Sequence, residues 1–158
     1  MKLIEVSHSK CTGCRSCEMV CSLTHEQECS TAKSRIRIVR DEEYGNNVIS
    51  LCMQCADASC MDSCPGEALH RHPETGAVLV YDELCIGCEA CVEACPLGAL
   101  SLNREKAVVF KCDLCGGDPE CVKWCKRGAL ACTEVDAGAP ERESLRTETV
   151  KLLSQVSS

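Results

Sequence analysis

Sixteen cysteines fall into four runs whose spacing suits the binding of iron. The clearest is Cys85, Cys88, Cys91 and Cys95: three thiols at intervals of three residues, then a fourth four residues on, followed by Pro96. A loop with a small residue at Gly87 can wrap three sulfurs around three irons of one [4Fe-4S] cube, while the fourth thiol takes a new direction and reaches a different cube. One such run predicts another, and three more are present. They are Cys11, Cys14, Cys17 and Cys21; Cys52, Cys55, Cys60 and Cys64; and Cys112, Cys115, Cys121 and Cys125.

Two other chemistries compete for these thiols. Cys-x2-Cys is also a zinc half-site, but the first and third runs add a third cysteine at the same interval, crowding three sulfurs into seven residues. Proline after Cys64 and Cys95 marks an iron-sulfur run and has no role at zinc. Eighteen cysteines in 158 residues would suit a disulfide scaffold in a secreted chain. Met1 to Glu5 carries no apolar segment and no twin arginine, so the expected setting is reducing and cytoplasmic.

The elements that deliver these thiols repeat. Short strands are expected before each run, over 3–6, 48–51, 77–81 and 107–110. After the last three runs the text is similar: Cys64-Pro65-Gly66-Glu67-Ala68-Leu69, Cys95-Pro96-Leu97-Gly98-Ala99-Leu100 and Cys125-Lys126-Arg127-Gly128-Ala129-Leu130. The chain is a fourfold repeat of strand, cysteine loop, one or two helical turns and strand. Pro73 and Gly76 mark one reversal between strands, and Asn103 to Lys106 another. The first run departs, because Cys21 leads into an insertion, Leu23 to Lys33, before a strand-like Arg35 to Arg40; the insertion would cover a cluster or form a docking surface.

One Trp, one Phe and two Tyr are too few for an ordinary core of this size, so clusters are expected to fill the middle. The net charge of −7 disfavours nucleic acid and favours a partner with basic patches. No apolar run reaches the roughly 20 residues of a membrane-spanning helix, so no direct insertion is expected. Beyond Thr133, residues 134–140 read as a linker, and Leu145, Thr149, Leu152 and Val156 share one stripe of an amphipathic helix over 141–158. An isolated helix of that length needs a surface, and a partner subunit is the expected one, ahead of the chain's own body or a frayed tail.

Outside the runs, Cys132 reads as a strand side chain acting as a small hydrophobe and Cys29 as a free surface thiol. Trp124 is expected to shield a cluster or simply to pack. His8, His25, His70 and His72 show no metal spacing, and the last two suit the wet face of a strand. No dinucleotide fingerprint, phosphate loop, nucleophile elbow or Cys-x3-Cys-x2-Cys radical motif occurs. The chain is therefore expected to be non-catalytic and to conduct electrons.

Because the fourth cysteine of a run serves a second cube, adjacent or nested pairings are both open. The second and third runs are joined by only 20 residues and both carry Cys-Pro, which makes them a natural unit around which the first and fourth would pair. Residues 1 to about 133 resemble the four-cluster iron-sulfur subunits of molybdenum and tungsten pterin oxidoreductases, of the dimethyl sulfoxide reductase type. The four runs, Asp82 to Cys88 and Lys111-Cys112-Asp113-Leu114-Cys115 carry the resemblance. Cys11-Thr12-Gly13-Cys14-Arg15-Ser16-Cys17-Glu18 and Ser34 to Ile38 look most like the small ferredoxin subunits of tungsten aldehyde oxidoreductases.

The resemblance implies an α+β fold of two fused, pseudo-symmetric bacterial 2[4Fe-4S] ferredoxin-like units with a C-terminal helical tail. Residues 1–133 would form the four-cluster domain, with 52–100 as the inner unit and 1–51 plus 101–133 as the outer one. It implies nested pairing: Cys11, Cys14 and Cys17 with Cys125; Cys112, Cys115 and Cys121 with Cys21; Cys52, Cys55 and Cys60 with Cys95; Cys85, Cys88 and Cys91 with Cys64. Four [4Fe-4S] clusters would relay single electrons to or from a large tungsten or molybdenum pterin subunit, with room for a flavin- or NAD-linked subunit and for stacking of several copies. A free-standing polyferredoxin, or the ferredoxin subunit of a hydrogenase, formate or carbon monoxide dehydrogenase, is the alternative.

Overall fold

The computed structural model describes residues 1–41, 45–136 and 140–156. Its strands pair only in twos. β1 (Lys2–Val6) and β8 (Leu130–Glu134) join the two ends of the cysteine-bearing region, and β2 (Ile36–Arg40) pairs with β3 (Asn47–Leu51). β4 (Leu69–Arg71) pairs with β5 (Val78–Val80), and β6 (Leu100–Asn103) with β7 (Val108–Lys111). All four pairs are antiparallel. Each expected strand before a run is present, as β1, β3, β5 and β7, and so is the strand-like stretch that became β2.

The reversals follow the turn residues. Gly76 takes φ +70° where β4 turns into β5, a conformation open to glycine at little cost. Asn103 Oδ1 accepts from the Glu105 and Lys106 amides at 3.0 and 3.1 Å, capping the β6–β7 turn.

Between strands lie short helices: α2 (Ser59–Asp62), α3 (Ala90–Glu93) and α4 (Glu120–Lys123). Their counterpart in the first run, α1 (Ser16–Glu26), is longer because the insertion continues it. α1 packs on α4 and α2 on α3, so first-run structure meets fourth-run structure and second meets third.

The apolar interior has two parts. The larger gathers Leu3 and Ile4 of β1, Ile36 of β2, Ile49 and Leu51 of β3, and Met53 and Leu114 from the loops; the smaller gathers Leu69, Val78, Leu100 and Val109. Cysteines line both, as the shortage of aromatic residues requires.

α5 (Pro140–Val156) corrects one expectation. It lies on the chain's own body, against β2 and β3, with Thr149 buried and Leu145, Val150 and Leu153 packed on the larger core. Its buried line is thus centred a little away from the Leu152 and Val156 stripe, which is half-covered. Linker residues 137–139 lie outside the described residues, and Glu134 belongs to β8. No helix among the described residues is long and apolar enough to cross a membrane.

Candidate metal centre

Four left-handed residues place the cysteine loops. The residue before the second cysteine has positive φ in every run: Gly13 (+67°), Gln54 (+49°), Gly87 (+67°) and Leu114 (+62°). This bend turns the intervening backbone so that the first two thiols face one point. At Gly87 a Cβ would meet the Ala107 carbonyl oxygen at 2.5 Å, which makes the small residue a steric need as well as a conformational one. Three residues after the last cysteine the bend recurs at Glu67, Gly98 and Gly128, and it is absent after Cys21, where α1 runs on.

The cysteines gather in four sets of four. Cys11, Cys14, Cys17 and Cys125 line one cavity, site A. Cys21, Cys112, Cys115 and Cys121 line a second, site B, and Cys52, Cys55, Cys60 and Cys95 a third, site C. Site D is Cys64, Cys85, Cys88 and Cys91: burial, and the neighbouring thiols of Cys64, Cys85 and Cys88, push Cys91 up to about 11. Every set takes three thiols from one run and one from another.

The sets follow one another in space. Cys17 of site A acts electrostatically on Cys121 of site B, and Cys52 of site C on Cys112 of site B. Cys95 of site C packs against both cores, the smaller of which holds site D. The order is A, B, C, D. Cys14 at site A and Cys88 at site D are exposed, whereas sites B and C have no exposed cysteine.

Burial sets the thiol chemistry. It pushes Cys17 up to about 12 and Cys60 up to about 11, and it raises Cys112 and Cys121 as well. Cys14 is lowered instead, by hydrogen bonds from the Ser16 amide and hydroxyl. A metal that binds such thiols must displace their protons. Amides already point at several sulfurs: Ala68 N–H to Cys64 Sγ and Ala129 N–H to Cys125 Sγ at 3.2 Å, and Arg35 N–H to Cys21 Sγ at 3.3 Å. All-sulfur sets with such donors fit [4Fe-4S] clusters, whose potentials depend on these hydrogen bonds.

The insertion covers site B. His25 lies in α1 with Nε2 3.5 Å from Cys115 Sγ, and Arg35, just after the insertion, contacts His25 and pairs with Asp113 at 3.3 Å. His25, Asp113 and Cys115 form the one compact donor trio among the described residues, but Cys115 belongs to site B. Spacing gave no sign of this cover, because the contacts span 78 and 90 residues. Nor did it point to Gln54 and Lys111, buried beside site C.

The residues outside the sets resolve as follows. Cys29 is exposed, and so is Cys132, on β8 but facing solvent and not acting as a packed hydrophobe. Trp124 is 54% exposed, so it neither packs in a core nor is shut away over a cluster. His70 is exposed and meets Tyr81 edge to face at 5.1 Å. His8 is half-buried, holding the Ile49 amide on Nδ1 and Thr149 Oγ1 on Nε2, each at 3.1 Å.

The model of the 4Fe-4S dicluster domain matches residues 45–135, more than half of the chain. The chain belongs to the 4Fe-4S dicluster domain family. The dicluster domain and the eighteen cysteines fit four [4Fe-4S] clusters. Among members, the polyferredoxin-like subunit of aliphatic sulfonate oxidoreductase from Pyrococcus furiosus is 46% identical over 70% of this chain and 63% of its own length. Electron transport protein HydN of Escherichia coli is 36% identical over 71% of this chain and 74% of its own. A chain of the BamBC active-site complex of benzoyl coenzyme A reductase is similar in structure, with a TM-score of 0.53 and 29% identity over 100% of this chain and 93% of that one. Members of this dicluster family named among its relatives are electron-transport proteins or subunits of oxidoreductases.

Proposed function

We propose that this chain is the non-catalytic electron-transfer subunit of an oxidoreductase, with one [4Fe-4S] cluster at each of sites A to D. Each cluster takes up and releases one electron. The sixteen cysteines hold them in a row, and those of the middle two sites are buried or partly buried. The observation that carries this reading is the order of the sites, with an exposed thiol at each end and none between. Such a row suits conduction between two docking points.

The reading extends to architecture and partner. Pairing of α1 with α4 and α2 with α3, and the division of the interior in two, support two fused ferredoxin-like units, with 52–100 as the inner one. Exposed Tyr81, Leu84 and Ile86 flank Cys85 of site D in the chain, beside exposed Asp82 and Glu83, a surface that suits a basic and apolar partner. The favoured partner is a catalytic subunit with a tungsten or molybdenum pterin, of the aldehyde oxidoreductase type, in a cytoplasmic setting. α5 lends no weight to this, since it is occupied by its own chain; relatives named as subunits of oxidoreductases support a catalytic partner, whatever its metal.

Gentle anaerobic purification of the untagged protein from its own cells, with metal analysis and subunit masses, tests the proposal. About 16 irons per chain, with tungsten or molybdenum on a large second polypeptide, is the expected result. The same irons on a chain that runs alone would make it a free carrier.

A further inference from the structure

Lys111 is buried at 4% exposure between sites B and C. It lines the site C cavity and immediately precedes Cys112 of site B. Its Nζ donates to three oxygens: Val78 O at 2.5 Å, Cys112 O at 3.2 Å and Gln54 Oε1 at 3.3 Å. These three acceptors match the three N–H donors of a lysine ammonium. Among the described residues no carboxylate lies within ion-pair distance of it. A buried cation with only neutral partners is costly unless an opposite charge stands nearby. Thiolate-bound clusters on either side supply that charge.

Gln54 is built to seat this ammonium. It is fully buried in a left-handed conformation where the first and third runs use glycine, a backbone position that disfavours a side chain. Its side chain gives a reason for keeping it: Oε1 accepts from Lys111 and from the Val78 amide at 2.9 Å, and Nε2 donates to Cys112 O at 2.9 Å. Its own carbonyl accepts from buried Arg142 of α5 at 3.0 Å. One turn further along α5, Arg146 reaches the rim of the same cavity, with its partner Glu143 on the exposed side. At site A the buried charge is instead a carboxylate, Glu18 next to Cys17, while the cations that line its cavity, Arg15, Lys126 and Arg127, are exposed and screened by solvent.

We infer that Lys111, seated by Gln54, and Arg146 are fixed positive charges that hold the site C cluster, and through Lys111 the site B cluster, at higher reduction potential than the terminal clusters. The inference rests on the cluster assignment proposed above. A cation beside a cluster favours the form that carries the added electron, so electrons entering at either end fall toward the middle of the row. The neighbouring thiols feel the same field: Lys111 lowers Cys60 and Cys112 against burial, and Arg146 lowers Cys55.

The test is a redox titration followed by electron paramagnetic resonance on the full-length, fully loaded protein. Lys111→Met keeps the aliphatic stem and removes the charge; Lys111→Arg keeps the charge. With Lys111→Met the two highest potentials fall, each by at least a tenfold change in the reduction equilibrium, about 59 mV for one electron, and with Lys111→Arg the fall is smaller. Arg146→Gln, at a side chain 27% exposed, lowers one of those same two potentials and serves if Lys111→Met does not load. Unchanged potentials in a fully loaded Lys111→Met, no shift in Arg146→Gln, or a fall confined to the two lowest potentials would overturn the inference. Iron content and cluster type of the unaltered protein, read first, test the assignment separately.

Discussion

Glu18 shows how one side chain can bias a site that it does not ligate. Buried at 3% exposure, it accepts the Ile38 amide on Oε1 at 2.8 Å and faces Arg15 at 3.7 Å. Its charge raises the thiols of Cys17 and Cys11 after burial has done so. The same field opposes an electron arriving at site A. Glu18→Gln is nearly isosteric, and should raise the lowest or next-lowest potential by on the order of 50 mV while leaving the others in place, as read by redox titration. At this scale the cysteines that gather at sites A to D were legible, because the chemistry of a cube fixes how thiols are spaced along a loop. Their neighbours were not: Gln54 meets Cys112 across 58 residues, and nothing local marks it. Leu114 is similar, a fully buried core residue held in the left-handed bend that glycine fills elsewhere.

Among the elements, the strands were legible from short apolar runs bounded by turn residues, and the helical character of 141–156 from its stripe. What the stripe lies on was not legible, since an apolar face does not name its cover. The answer lies partly in His8. Its Nδ1 accepts the Ile49 amide, so the neutral ring carries its proton on Nε2 and donates to Thr149, whose hydroxyl donates in turn to Leu145 O at 2.8 Å. Burial lowers the His8 pKa below its usual 6.5, with Glu148 opposing. The folded state therefore resists a proton that the unfolded or undocked state accepts. The stabilisation is whole above pH 6.5 and is lost as pH falls from there through the lower folded value. Protection of α5 amides from hydrogen exchange, corrected for intrinsic rate, should fall below pH 6.5 by roughly fivefold, about 1 kcal/mol. Equal corrected protection at pH 7.5 and 5.5 would remove His8 from the docking of α5.

The whole molecule turns four loops into a row. β1–β8 joins the first run to the fourth, and the β4–β5 hairpin joins the second to the third. Each run can thus lend its fourth thiol to its counterpart. The nested scheme came from resemblance and not from spacing, which left adjacent pairing open. The cavities of sites A, B and C are lined by nested sets. The most direct test is an iron anomalous-difference map from crystals of anaerobically purified protein. Four cubes, each centred within one of sites A to D and in that order, are the result expected. Density that ties Cys21 to the Cys52 loop, or single metal atoms in place of cubes, would contradict the account.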